Sequence, residues 1–144
     1  MTESDRFQDS SSGVISDNKY KKHWLPKDSF GDLGQWRNYN EAIGYLRLMN
    51  QVYAGGYSDW RMPTRQEVEN LYDITYDQMD WEDEIVHIST IFVTKCSNYL
   101  WTSEKDENQK VCRINLRNKE LEYIDPETRD HQAVRLVRDI GSTD

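Results

Sequence analysis

The sequence has few cysteines, no long apolar run and no excess of basic residues, and each shortage excludes a class of protein. Two cysteines in 144 residues permit at most one intramolecular disulfide, which excludes the cysteine-dense scaffolds of small secreted proteins. No apolar stretch approaches the roughly 18–20 residues that a membrane-spanning helix needs. The 26 acidic residues outnumber the 18 Lys and Arg, and the net charge of −8 opposes a general affinity for nucleic acid or anionic membrane. We therefore expect no nucleic-acid partner and no membrane insertion.

Catalytic and cofactor-binding motifs are also missing. The chain contains no nucleophile elbow, phosphate-binding loop, zinc-binding helix motif or glycine-rich dinucleotide loop. The spacing of His23, His87 and His131 is not that of a joint metal site. We expect no enzyme activity, no catalytic residues, no cofactor and no metal site. Cys96 and Cys112 are predicted to be buried thiols, with a disulfide as the next alternative and a redox or copper-thiolate site after it.

The chain begins with a polar segment that lacks the apolar core of a secretory signal. As written, the sequence predicts a cytoplasmic protein, whereas removal of a leader would make it an exported or cell-surface one. Residues 1–12 offer nothing to bury and are predicted to be a disordered tail. Residues 13–140 are predicted to form a single domain, since their number fits one domain of roughly 100–200 residues, and 141–144 a second tail.

The first half of the domain is predicted to contain a hairpin and a long capped helix. The hairpin turns at Asp17-Asn18 and ends before Pro26. Apolar residues then recur every three or four positions over 39–53, which indicates a helix with one apolar face. Asn38 and Glu41 have the spacing of a capping box at its start.

A second capping box, Thr64 and Glu67, predicts a short helix over 65–73. The stretch from Asp73 to Glu84 then carries six acids and no base, which is typical of a long solvated surface loop. A calcium site is the alternative, because calcium takes oxygen ligands from carboxylates, but the ordered Asp-x-Asp-x-Asp-Gly pattern is missing.

The last third is predicted to be mainly strands. A two-residue turn at Asn118-Lys119 would pair Leu116 with Leu121 and place Arg113, Asn115 and Arg117 on the outward face of a hairpin. The run 132–138 is predicted to be one final strand.

A resemblance to a known family covers most of the chain. Residues 55–68, GGYSDWRMPTRQEV, resemble the signature GYSDWRLPT, then Glu-Leu, of the bacterial Lcl C-terminal domain family, with Met62 and Val68 replacing leucines. Trp36 and Ala42 precede the signature as in the family; the YLWTS element at 99–103 and the closing VRLVR at 134–138 follow it. Over residues 13–138 the resemblance implies a C-type lectin-like fold: an α+β domain in which two helices flank small antiparallel sheets, the first and last strands meet, and a long loop region lies on one side.

The signature residues are interpreted as structural. Trp60 is expected to anchor its loop under the second helix, and Arg61 to pair with Glu67 or with backbone carbonyls, because a buried guanidinium without partners is costly. Pro63 and Thr64 are expected to set the start of that helix.

Candidate ligand-binding residues come from the loop and the hairpin. Aromatic rings beside Arg and Asn side chains suit either sugar rings or a protein partner. The alternatives are that Trp101 belongs to the core and that Arg117 pairs with Glu120. The predicted binding residues are Trp81, Tyr99, Trp101, Arg113, Asn115 and Arg117.

These observations predict a non-enzymatic recognition module that binds a protein or a carbohydrate through the loop and hairpin surface. One alternative is an accessory protein whose domain only mediates assembly. A variable binding protein of a diversity-generating retroelement is the other, since lectin-like folds serve that role. The sequence specifies neither the ligand nor the oligomeric state.

Overall fold

The chain folds into short helices and small sheets, and the predicted α+β class is confirmed. A computed structural model describes residues 1–141. Its helices are α1 (Glu3–Arg6), α2 (Ser29–Leu33), α3 (Tyr39–Gln51) and α4 (Arg65–Leu71), with a 3-10 turn at Ala54–Gly56. Its strands are β1 (Phe7–Asp9), β2 (Ile15–Asp17), β3 (Lys22–Trp24), β4 (Gln78–Met79), β5 (Ile85–Val86), β6 (Tyr99–Lys105), β7 (Val111–Asn115), β8 (Leu121–Ile124), β9 (Gln132–Ala133) and β10 (Val137–Asp139).

Two four-stranded sheets organise the domain. The first has the order β1-β2-β3-β10 and is antiparallel, so strands from both ends of the chain meet in it. The second has the order β8-β7-β6-β9, in which only the β6–β9 pair is parallel. Strands β4 and β5 form a small hairpin of their own. The finer assignment, a C-type lectin-like fold, stays a prediction.

Both predicted capping boxes are present. Asn38 accepts from the Glu41 amide at 2.9 Å, and the Glu41 carboxylate accepts from the Asn38 amide at 3.0 Å. Thr64 and Glu67 make the same reciprocal pair at the start of α4. Helix α4 ends at Leu71, two residues earlier than predicted, because Tyr72 already has an extended backbone.

Apolar clusters cover both faces of the second sheet. On one face, Cys112 and Ile114 pack with Val68 and Leu71 of α4. On the other face, Trp101 and Val111 pack in the cluster that contains Tyr39, Ala42 and Tyr45 of α3. The sheet is therefore the central layer between two helices, and neither face of β7 is free for solvent.

The N-terminal segment is not the predicted disordered tail. Strand β1 pairs with β2, and Phe7 is buried in the core cluster that contains α4. The Arg6 guanidinium makes a buried two-pronged ion pair with Asp17, at 3.0 and 2.9 Å, and donates to the Asn70 carbonyl of α4. The sequence did not predict this because Phe7 is the only apolar residue of the segment besides the exposed Met1. Of the predicted 141–144 tail, residues 142–144 lie outside the described part of the chain.

The acidic stretch from Asp73 to Glu84 is partly buried and is not a simple surface loop. It contains β4, and the side chains of Tyr76, Gln78 and Asp80 are buried. Gln78 donates to two backbone carbonyls, at 2.8 and 3.0 Å, which ties the stretch to the loop that follows β5.

The β7–β8 hairpin has a different register from the predicted one. Ile114 faces Leu121 and Arg113 faces Glu122, a shift of two residues along β7. Leu116 is not available for pairing in the hairpin, because its N–H donates to the Asn98 carbonyl and its carbonyl accepts from His87.

The closing run is two strands instead of one. Gln132 and Ala133 pair with β6, whereas Val137 to Asp139 pair with β3 in the other sheet. The buried Arg135 lies between them and donates to the carbonyls of Leu25 and Pro26. The chain thus links the two sheets at this point.

The signature residues have structural contacts. Trp60 is buried, but it is bound to the end of α3 and the following turn and not to α4. Its backbone N–H donates to the Asn50 side chain, and its indole N–H donates to the Ala54 carbonyl. Arg61 binds Glu67 with two bonds of 2.7 Å, as predicted, and also reaches Asp139 of β10.

The Glu67 carboxylate should make the free energy of unfolding fall as the pH is lowered into the acid range. Burial alone would raise the pKa of Glu67, but hydrogen bonds from Arg61, the Thr64 amide and Lys22 lower it to about 2. A pKa below the ordinary value of about 4.3 stabilises the fold above that pH, and the stabilisation disappears as the pH falls towards 2. We expect Glu67→Gln to lower the free energy of unfolding by about 2–3 kcal/mol at pH 7, with the difference from the parent shrinking towards pH 2.

Urea unfolding between pH 2 and 7 measures this effect. Glu69→Gln is the matched control, because Glu69 pairs with Arg65 on the same helix but at the surface, where such pairs contribute about 0.5 kcal/mol. A difference between Glu67→Gln and the parent that stays constant from pH 7 to pH 3 would contradict the prediction.

None of the helices in the described residues has the length and apolar character that a membrane-spanning helix needs. Cys96 and Cys112 are both free and buried. This agrees with the first interpretation of the two thiols and not with a disulfide.

Candidate binding cleft

Trp101 is not a surface residue. Its side chain is fully buried at 0% exposure, and its indole N–H donates to the Arg37 carbonyl at 3.0 Å. The ring also makes an edge contact with Tyr39 of α3. The prediction that Trp101 binds ligand is therefore wrong, and the alternative that it belongs to the core is confirmed.

Arg113 is also buried, because the β7 face that was expected to be outward is covered. Its guanidinium donates to Asp130 at 2.8 Å and to Gln132 at 3.0 Å, and reaches Glu122 at 3.3 Å. It lies over the Tyr99 ring, 3.8 Å from the ring centroid. Arg113 therefore positions Asp130 and Tyr99 instead of meeting a ligand itself.

Arg117 does not pair with Glu120, which was the alternative to ligand binding. It donates to Asp80 at 2.7 Å and to Glu82 at 2.8 Å, so it ties the hairpin turn to the acidic stretch. Asp80 has no exposed surface, and its other oxygen accepts from the amides of Glu82 and Glu84. The Arg117 guanidinium is therefore held by two carboxylates of the domain itself.

The half-buried residues Trp81 and Asn115 are joined through the buried Asn98. The Trp81 indole N–H donates to the Asn98 amide oxygen at 3.0 Å, and the Asn98 amide nitrogen donates to Asn115 at 3.2 Å. Tyr99 faces Asn115 across the β6–β7 pair. Four of the six predicted residues thus form one connected, partly exposed region: Trp81, Tyr99, Asn115 and Arg117. The buried Arg113 lies beneath it against Tyr99.

A cluster of rings that the sequence analysis did not connect lies beside this region. Trp36 stacks flat on Phe30, with ring centroids 3.8 Å apart and planes inclined by 5°. The Trp36 ring also contacts Trp81 and His131 edge-on, and the Trp81 and His131 rings are 4.3 Å apart. We call Phe30, Trp36, Trp81 and His131 the aromatic cluster.

Two residues of the aromatic cluster, Trp36 and His131, line an open cleft of about 450 Å³. This volume falls in the range of roughly 300–1,000 Å³ that is typical of small-molecule sites. The cleft lies between the segment that leads into α3 and the segment that leads into β9. Its lining residues are Gln35, Trp36, Arg37, Asn38, Arg129, Asp130 and His131.

A family model matches the chain over residues 13–138, which is most of its length, under the description Lcl C-terminal domain. The chain belongs to the Lcl C-terminal domain family. No curated protein and no solved structure is significantly similar to it. The match covers the segments that carried the resemblance, including Trp36 at the cleft and the closing run after His131.

Ion pairs hold the charged side chains of this Lcl domain's cleft in place. Arg129 makes two bonds to the Glu41 carboxylate, at 3.0 and 3.2 Å, and Arg37 lies 3.7 Å from the same group. A hydrogen bond from the Asn38 amide, together with the two arginines, keeps the pKa of Glu41 below its usual value although burial opposes this. Burial alone would also raise the pKa of Asp130, but hydrogen bonds from Arg113 and the His131 amide lower it. Both carboxyl groups are therefore ionised at neutral pH.

Carboxylates of the acidic stretch in this Lcl domain pair with basic side chains. Two of them bind Arg117, and Asp83 pairs with Lys95. Within residues 1–141, no group of three or more His, Cys, Asp and Glu side chains is arranged to hold a metal ion.

Proposed function

We propose that the domain is a non-enzymatic recognition module that binds a carbohydrate in the cleft beside the aromatic cluster. The observation that carries the proposal is the half-buried Trp36 ring, held by Phe30 on the border of a cleft that also presents Asp130, Arg129 and His131. Sugar rings offer an apolar C–H face that packs on an aromatic ring, and hydroxyl groups that both donate and accept hydrogen bonds. The cleft supplies both kinds of contact.

The pairing of the cleft's charges favours a neutral ligand. Each of the two arginines that line the cleft has Glu41 as a partner, and Asp130 has Arg113. A highly charged ligand would have to displace one of these pairs, whereas a hydroxyl group can add a hydrogen bond to a carboxylate or guanidinium that keeps its partner. We therefore propose neutral sugar residues.

The state of the cysteines supports binding without catalysis. Burial raises the pKa of Cys96 to about 12 and raises the pKa of Cys112 as well. The thiolate is the nucleophilic form of cysteine, so neither group is activated for attack.

The Trp36 ring should be the main determinant of carbohydrate affinity. We expect Trp36→Ala to weaken binding of a neutral glycan at least about tenfold, or about 1.4 kcal/mol, because the packing surface for the sugar ring is lost. A glycan array with the purified protein identifies a bound sugar, and isothermal titration calorimetry then measures its affinity for each variant. Tyr53→Ala is the control, since Tyr53 is exposed at 62% and does not line the cleft.

Two results would count against this proposal. One is a folded protein that binds no glycan on the array; the other is glycan binding that Trp36→Ala leaves within twofold of the parent. If the array is negative and a protein captured from cell extract is released by Trp36→Ala but not by Tyr53→Ala, the cleft recognises a protein instead of a sugar.

A further inference from the structure

Strand β8 has an outer edge to which no other strand of residues 1–141 is paired. It is the last strand in the order β8-β7-β6-β9. The Asn115 amide donates to the Glu120 carbonyl at 2.9 Å, which makes this opposite pair a hydrogen-bonded one. In an antiparallel ladder such pairs alternate with non-bonded pairs, so Glu122 and Ile124 bond to β7, whereas the N–H and C=O groups of Leu121 and Tyr123 point outward.

The two faces beside this edge differ in chemistry. Leu121 and Tyr123 lie opposite Ile114 and Cys112, on the face that α4 covers, and they are exposed at 37% and 36%. Glu120 and Glu122 project to the other face, since side chains alternate along a strand. An added strand would therefore meet Leu121 and the Tyr123 ring, whose hydroxyl donates to Glu104, on one face and the carboxylates of Glu120 and Glu122 on the other.

The segment that forms the edge is acidic. Residues 120–127 read ELEYIDPE and contain four acids and no base. Glu122 lies against Arg113, but Arg113 also binds Asp130, so it does not neutralise both acids. No ion pair within the described residues involves Glu120, Asp125 or Glu127.

We propose that the outer edge of β8 is a docking site for an extended segment of a partner protein in which apolar and basic residues alternate. The outward backbone groups of Leu121 and Tyr123 bond to the added strand, as in other cases of strand addition to a sheet edge. Its apolar residues pack beside Leu121 and Tyr123, and its Lys or Arg residues meet Glu120 and Glu122. A second copy of this chain is a poor occupant, because pairing two β8 strands brings together two acidic segments.

A capped nine-residue peptide of alternating Lys and Val is a direct probe. We expect it to bind the full chain with a dissociation constant on the order of 0.1–1 mM, which corresponds to about 4–5.5 kcal/mol. In NMR titrations of ¹⁵N-labelled protein, the amide signals of Leu121 and Tyr123 should shift and their hydrogen exchange should slow. Addition of salt should weaken binding, because the attraction is partly ionic.

Two control peptides and one pair of variants test the mode of binding. N-methylation of alternate peptide amides should abolish binding without touching the protein, and a Glu-Val peptide should not bind. Glu120→Lys should weaken binding of the Lys-Val peptide at least about fivefold. Glu84→Lys makes the same charge change at an exposed position of the acidic stretch and should leave binding within twofold.

Three outcomes would overturn the proposal. They are the absence of Lys-Val peptide binding at millimolar concentration, equal binding of the N-methylated peptide, and shifts confined to residues outside β8. Concentration-dependent dimerisation that Glu120→Lys changes would instead assign the edge to a second copy of the chain. None of these readouts depends on the aromatic cleft, so they are separate from the carbohydrate proposal.

Discussion

Replacement of Trp101 by alanine should destabilise the protein by about 3–5 kcal/mol, the range for removing a large buried aromatic side chain. Trp101 is fully buried between the second sheet and α3, and its indole N–H satisfies the Arg37 carbonyl. The substitution removes the packing, leaves a cavity and leaves that carbonyl without its partner. For a domain of this size we expect the melting temperature to fall by about 10–15 °C, measured by circular dichroism and confirmed by urea unfolding.

Two further variants show whether the effect comes from packing. Trp101→Phe keeps most of the ring and loses the hydrogen bond, so we expect a smaller loss of about 1–3 kcal/mol. Trp81→Ala is the surface counterpart, since Trp81 is half-buried in the aromatic cluster, and its effect on stability should be smaller still. A Trp101→Ala protein that melted within 2 °C of the parent would place Trp101 at the surface after all.

Features that depend on neighbours in the sequence were predicted well. The capping boxes at Asn38-Glu41 and Thr64-Glu67 need only residues three apart, and both form as expected. The apolar periodicity of α3 and the first hairpin are likewise local patterns, and both elements are present, although the hairpin turns at residues 18–21 and Asp17 is paired in β2. Even the Arg61–Glu67 pair follows from a spacing of six residues and the cost of an unpaired guanidinium.

The β7–β8 hairpin shows where local patterns fail. The alternation of apolar and charged residues placed the side chains of β7 on the correct faces, because a shift of two residues preserves the alternation. It could not show that the backbone N–H and carbonyl of Leu116 are hydrogen-bonded to Asn98 and His87, which are distant in sequence. Nor could it show that the charged face is covered, which buries Arg113.

Only part of the candidate site could be predicted from the sequence, because the rest depends on contacts between residues that are distant in the chain. Trp81, Tyr99 and Asn115 do lie in one region, because Trp81 and Asn115 both bond to Asn98 and Tyr99 faces Asn115. The aromatic cluster joins residues 30, 36, 81 and 131, and only the fold brings these together. Trp36 was identified only as part of the family resemblance, and its position beside His131 depends on the crossover from β8 to β9.

The Arg6–Asp17 ion pair gives the second large effect. Arg6→Met should lower the free energy of unfolding by about 3–5 kcal/mol, because it leaves the buried Asp17 carboxylate without its counter-charge. Arg6 also connects the N-terminal segment to α4 through the Asn70 carbonyl. If residues 1–12 were a disordered tail, a substitution there would change stability by less than about 0.5 kcal/mol. Urea unfolding of Arg6→Met therefore distinguishes an integral strand from a tail.

The double variant Arg6→Met/Asp17→Asn separates the ion pair from general loss of packing. Removal of both charges from a buried pair is far less costly than removal of one, so we expect the double variant to recover at least half of the stability that Arg6→Met loses. Lys19→Met is the control, because Lys19 is exposed on the adjacent turn, and it should stay within about 0.5 kcal/mol of the parent. Additive losses in the double variant would mean that Arg6 acts through its contacts with Phe7 and Tyr20 instead of through Asp17.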